Sequence, residues 1–188
     1  MCIRDSNGSS VVMIDDEYGK RIAELNSNVK CISLKNEDAD YFCTSYSINS
    51  FGVSGTLAWD SETLDFESKL IGLFNLENLI LAASIAIELN ISAQSIAKGI
   101  ENCTNIDGRL HLVENQKNQM IFLDYAHSPD AYFRTLKALE ENFSRPLKVL
   151  FGAGGGRDKS KRQKMAEVVE KYSIECYLAP DNTRFCLL

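Results

Sequence analysis

The sequence is short of the features that mark several protein classes. It has only 3 prolines in 188 residues and no low-complexity tract, which excludes a disordered or fibrous chain. No apolar run approaches the roughly 18 residues that a membrane helix needs. No charged-then-apolar leader with a small-residue cleavage site opens it. The 6 cysteines include no C-x-x-C pair and are widely scattered, which argues against a zinc ribbon or a disulfide scaffold. A reducing cytoplasm is the expected setting. Excess positive charge is lacking too: 20 Lys and Arg face 26 Asp and Glu, for a net charge of −6, which excludes a general nucleic-acid binder.

What is present is an apolar fraction of 45%, enough for a real core, in an alternating α/β pattern. Residues 1–6 and the last three or four lack any such pattern, so the former are read as a non-native leader and the whole as a fragment. Val11 to Ile14 reads as a buried strand, followed by a helix through Ile22 and Leu25 and a second strand over Val29 to Leu34. Residues 41–69, rich in Thr, Ser, Tyr, Phe and Val, suit twisted antiparallel strands. Residues 75–89 have apolar side chains at helical spacing and on further positions, so a helix buried on nearly every side is expected. Ser92 can cap a second helix to about Asn102. Two short strands turn at Asn115–Asn118. Ser128-Pro129 then starts a helix that ends near Asn142. Ser144-Arg145-Pro146 reads as an inter-domain hinge, and a βαβ unit follows over 147–178.

Four segments can carry chemistry. Gly152 to Lys159 forms a glycine loop between a strand and a helix, where free backbone N–H groups and the helix dipole favour an anion. It matches neither G-x-x-x-x-G-K-[ST] nor G-x-G-x-x-G, since position 157 is Arg, and a dehydrogenase fits poorly. Residues 157–164 hold five cations (Arg157, Lys159, Lys161, Arg162, Lys164) and one anion. Cations there oppose the dipole, so this is either an anion site, with Lys159 and Lys161 as anion contacts, or a solvated basic face that tolerates the cost. Asp124-Tyr125-Ala126-His127-Ser128-Pro129-Asp130 lies where a strand gives way to a helix. Asp124 can accept from ribose hydroxyls and His127 can stack on a base or polarise a phosphate. Equally, the two can be a loop cap and a satisfied surface histidine. Asn75 and Asn78, three apart in a first helical turn, project on one face as adenine contacts or serve as caps. Arg109 follows Gly108 at the start of a strand, where a surface arginine is the default.

Taken in order, these segments resemble the Mur ligases. Gly72 to Asn78 is similar to the family's G-x-F-N-x-x-N, and Gly108-Arg109 to its G-R. Asp124 to Asp130 is similar to D-Y-A-H-[ST]-P-D, Gly154 to Arg162 to G-G-D-R-D-K-G-K-R, and Asp181-Asn182-Thr183-Arg184 to D-N-P-R. The fold it implies is α/β: the C-terminal part of a central P-loop-type ATPase domain over 7–144, then the first βαβ unit of a Rossmann-like C-terminal domain over 145–188, truncated. The reaction it implies is ATP- and Mg2+-dependent addition of meso-diaminopimelate to UDP-N-acetylmuramoyl-L-alanyl-D-glutamate through an acyl phosphate, in the cytoplasm, for peptidoglycan precursors. Both substrates are small molecules, and no nucleic acid, membrane or obligate protein partner is implied.

The resemblance also implies roles. Asn75 and Asn78 would face the adenine, Arg109 the ATP phosphates and Asp124 the ribose, with His127 lining the nucleotide site. Arg157, Asp181, Asn182, Thr183 and Arg184 would hold the incoming amino acid. Two arginine forks favour diaminopimelate, whose second carboxylate lysine lacks. Thr183 in place of the motif's proline, and Gly156 in place of an acidic residue, depart from the pattern. The family's phosphate loop and carbamylated lysine are not among these residues, so no catalytic or metal-binding residue is assigned and the chain alone is expected to be inactive. Other readings are a folylpolyglutamate synthase-like ligase, a lysine-adding Mur ligase, and a non-catalytic nucleotide-binding module.

Overall fold

The computed structural model describes residues 10–26, 28–117, 119–154 and 159–180. The chain divides into two compact units, 1–104 and 105–188.

The first unit is a five-stranded mixed sheet in the order β1-β2-β3-β4-β5, with helices packed on it. Strand β1 (Ser10–Met13) leads into helix α1 (Glu17–Leu25), and β2 (Val29–Ser33) returns parallel to β1. Helix α1 starts where it does because Asp16 caps it, its carboxylate accepting from Gly19 N at 2.8 Å. Gly19 itself is dictated by a close approach: a Cβ there would lie 1.8 Å from the carbonyl oxygen of Met13.

Strand β3 (Tyr41–Asn49) runs parallel to β2, whereas β4 (Gly52–Trp59) and β5 (Glu62–Ser68) continue the sheet antiparallel, as the composition of 41–69 predicts. Along β5, Leu64, Phe66 and Ser68 point inward, while Thr63, Asp65 and Glu67 are exposed. The sheet therefore has one wet face and one dry face. Helices α2 (Leu73–Glu88) and α3 (Ala93–Asn102) close the dry face, with Leu76, Leu79, Ile80, Ala83, Ile96 and Ile100 buried against Ile32, Leu57 and Leu64. Ser92 caps α3 as expected, accepting from Ser95 N. The all-round burial expected of α2 does not hold. One stripe is buried, while Ile85 is 45% exposed and Leu89, just past its end, 69%. Its apolar surplus lies on the outer side, which sequence periodicity cannot tell from a second buried face.

The second unit begins with a short antiparallel pair, β6 (His111–Leu112) and β7 (Phe122–Leu123). Asn115 shapes the turn between them, its Oδ1 accepting from the backbone N–H of Lys117 and of Gln119. Helix α4 (Pro129–Phe143) has Ser128 as N-cap and proline in its first turn, as predicted. Strand β8 (Leu147–Phe151), helix α5 (Ser160–Tyr172) and strand β9 (Ser173–Leu178) form the parallel βαβ unit. Tyr132 and Leu136 of α4 and Met165 and Val169 of α5 make one buried cluster, with Leu147, Val149 and Phe151 packed against it. That cluster corrects the expected boundary. Ser144–Pro146 lies inside the second unit, because the elements on either side of it share a core, and the division falls at Thr104/Asn105.

Candidate functional site

In the first unit the two asparagines part company. Asn75 is 1% exposed, and its Nδ2 donates to the carbonyl of Ile71 at 2.8 Å. Asn78 is exposed. The expected shared face is therefore split between core and surface. Neither residue is the cap, a position taken by Gly72 with a φ of 94°.

In the second unit Asp124, just past the end of β7, is the most connected of the sequence-derived residues that are described. Its Oδ2 accepts from Leu110 N at 2.9 Å, and its Oδ1 accepts from Ala126 N at 2.8 Å and from the Thr135 hydroxyl at 3.2 Å. It caps its loop, as one of the two sequence readings has it. Arg109 is exposed, held between Gly108 and Leu110, both of which have positive φ. A half-open pocket of about 140 Å³, lined by both polar and apolar groups, has Phe122, Asp124, Tyr132, Thr135, Leu136 and Val149 in its wall.

His127 is exposed, with Nδ1 3.1 Å from the carbonyl oxygen of Tyr125. A carbonyl only accepts, so Nδ1 carries the proton, and in the neutral ring Nε2 is left with its lone pair. The Tyr125 ring stands edge-on to it at 5.7 Å between centroids. Lys161, in the first turn of α5, donates through Nζ to the His127 carbonyl at 3.2 Å, and Arg162 donates to the Gly154 carbonyl at 3.1 Å. The strand-to-helix turn before α4 and the basic first turn of α5 are thus brought together. Lys159 is exposed at the start of α5. Arg157, Asp181, Asn182, Thr183 and Arg184 lie outside the described residues. Sequence reasoning missed Thr135. It stands seven residues, two helical turns, beyond the cap Ser128, so the signal was its place on the cap's own face of the helix.

Among the described residues no group of three or more His, Cys, Asp or Glu is arranged to hold a metal ion. Among them, too, no helix is long and apolar enough to cross a membrane, and Cys31, Cys43, Cys103 and Cys176 are free thiols.

The class defined so far is an α/β protein of two units whose second unit gathers charged side chains at the carboxyl ends of strands, where such folds bind ligands. Comparison with known proteins narrows it. Residues 4–86 match the Mur ligase middle domain and residues 108–185 the Mur ligase, glutamate ligase domain, so the chain belongs to the Mur ligase family. It is 32% identical over 181 residues to the UDP-N-acetylmuramoyl-L-alanyl-D-glutamate--2,6-diaminopimelate ligase of a Nostoc species. That match covers 94% of this chain and 36% of the relative, so the chain spans about a third of such relatives' length. A solved structure of a ligase of the same name superposes with a TM-score of 0.63 at 28% identity, over 94% of this chain and 37% of the other. The folylpolyglutamate synthetase of Lactobacillus casei superposes at 0.68 with 20% identity, over 90% of this chain and 42% of that one, a likeness of fold.

Proposed function

We propose that these residues are part of an ATP-dependent ligase that joins meso-diaminopimelate to UDP-N-acetylmuramoyl-L-alanyl-D-glutamate in the cytoplasm, making a peptidoglycan precursor. The observation that carries this reading is the 32% identity to a diaminopimelate-adding ligase, spread over nearly the whole chain rather than confined to one motif. The first unit is then the C-terminal part of a central P-loop-type ATPase domain, and the second the start of a Rossmann-like C-terminal domain.

The nucleotide contacts follow from what each unit presents. In the first, Asn78 has an exposed amide for the adenine edge, while Asn75, tied to Ile71, holds the helix start beneath it. In the second, Arg109 offers an exposed guanidinium to the phosphates, Asp124 a carboxylate to the ribose, and His127 an Nε2 lone pair to the same ligand. Lys159 and Lys161 add positive charge beside the start of α5 and screen an anion held there. Arg157, Asp181, Asn182, Thr183 and Arg184 hold the amino acid. Bound ATP would supply the γ-phosphoryl group that the substrate's glutamate carboxylate takes up as ADP leaves, bound magnesium would offset the phosphate charge, and preorganised positive charge lowers the cost of the transfer.

Diaminopimelate is favoured over lysine because a guanidinium fork pairs bidentately with the second carboxylate. Calorimetric titration of the intact ligase with each amino acid, beside an Arg184→Ala variant, tests this. Diaminopimelate is expected to bind at least tenfold tighter, about 1.4 kcal/mol, and the variant to lose that preference. Equal binding of both amino acids by the unaltered protein would reject it.

A further inference from the structure

We propose that Thr135 is a positioning residue of the nucleotide site, acting through the Asp124 carboxylate to fix the backbone that presents Arg109. The proposal rests on Arg109 being a phosphate contact.

Arg109 sits in a strained stretch. Gly108 has a φ of 68° and Leu110 a φ of 45°, and a leucine does not hold the left-handed region without outside constraint. Three hydrogen bonds supply it. The Gly108 carbonyl accepts from Tyr125 N at 2.8 Å, Arg109 N donates to the Ile106 carbonyl at 3.0 Å, and Leu110 N donates to Asp124 Oδ2 at 2.9 Å. Both neighbours of Arg109 are therefore tied to the 124–125 segment, and the tie to Leu110 is a side chain that must itself be held still.

Thr135 does the holding. Its hydroxyl donates to Oδ1 at 3.2 Å, and Ala126 N donates to the same oxygen at 2.8 Å, so rotation of the carboxylate would break two bonds besides the one to Leu110. The threonine is anchored in turn. It is β-branched and stiff at χ1, and it lies on α4 between Tyr132 and Leu136, which are locked in the core shared with α5. A line of constraint thus runs from that core through one hydroxyl and one carboxylate to the arginine. An ionised carboxylate has about four lone-pair positions. The described contacts use three, and the fourth, on Oδ2, remains for a ribose hydroxyl. Clamp and ligand contact are compatible on one side chain.

The test compares Thr135→Val, which keeps the shape and removes the hydroxyl, with Thr135→Ser, which keeps the hydroxyl, in the intact ligase. Thr135→Val is expected to raise the KM for ATP about tenfold, leave the KM for the amino acid unchanged, and speed hydrogen exchange in the 108–112 segment. Thr135→Ser is expected to restore all three. In an Arg109→Ala background, Thr135→Val is expected to cost less ATP affinity than in the unaltered ligase, the remainder passing through the ribose contact of Asp124, whereas a merely structural role would give the full loss again. Additive losses there, equal loss with Ser and Val, or unchanged exchange at Leu110 would each overturn the proposal. If Arg109→Ala alone leaves ATP affinity intact, the phosphate reading of Arg109 falls instead, and the exchange data alone decide whether Thr135 fixes that backbone.

Discussion

At the scale of single residues, the polar groups of the first unit that matter most for folding are those buried with one partner each. Tyr41 is 4% exposed, and its hydroxyl donates to Glu88 at 2.7 Å, joining β3 to the end of α2. Burial first, and then the bond to Glu88, pushes the phenol far above its usual value of 10.0. The sign follows from linkage. Below about pH 10 the phenol is protonated in both folded and unfolded chains, and its contribution to stability is complete. As pH rises past that point the unfolded chain ionises and the folded one resists, so stability falls. Denaturant melts at pH 9 and pH 11 should show a steeper loss for the unaltered protein than for Tyr41→Phe. At pH 9 the substitution itself should cost about 1 kcal/mol for the hydrogen bond. An identical pH slope in both proteins would show that Tyr41 does not carry it.

At the scale of elements, helices follow their sequence signals closely where a cap fixes them. Ser128-Pro129 and Ser92 each depend on local chemistry, and each helix begins as that chemistry requires. What could not be read were the properties set by partners distant in sequence. The outer face of α2 is one case. The separation of buried Asn75 from exposed Asn78 is another, since two residues three apart straddle the edge of a buried stripe whose position only the sheet decides. The Asp124–Thr135 bond is a third, because the helical spacing from Ser128 gives the face on which Thr135 lies but not the carboxylate it meets. Gly19 belongs with them: a glycine inside a helix ordinarily lowers its stability, yet the close approach to Met13 makes this one the residue that lets the helix lie on β1. Gly19→Ala would gain helix propensity but drive a Cβ into a backbone oxygen. A net loss of about 3 kcal/mol is expected in a denaturation melt. A stabilised variant would mean that α1 does not rest on β1 in this way.

At the scale of the whole chain, the division at Thr104/Asn105 is a consequence of which residues share a core. The first unit's apolar cluster ends with Ile100 and its neighbour Cys103, whereas Leu147 and Val149 beyond the Ser144–Pro146 turn join Tyr132 and Leu136 before it. A proline turn looks like a hinge in sequence because proline and left-handed residues interrupt helices; it is one only if the flanking elements bury their faces separately. Here they do not. Residues 103–106 carry no regular structure, and Thr104, Asn105 and Ile106 are exposed, so backbone there opens without breaking a core. Limited proteolysis with a protease of broad specificity should therefore cut first within 103–107 and leave the 144–146 turn intact until the second unit unfolds, with the fragments identified by mass. Early cleavage at 144–146 would mean that α4 and α5 are not held by a common core, and would also remove the anchor on which the Thr135 clamp depends.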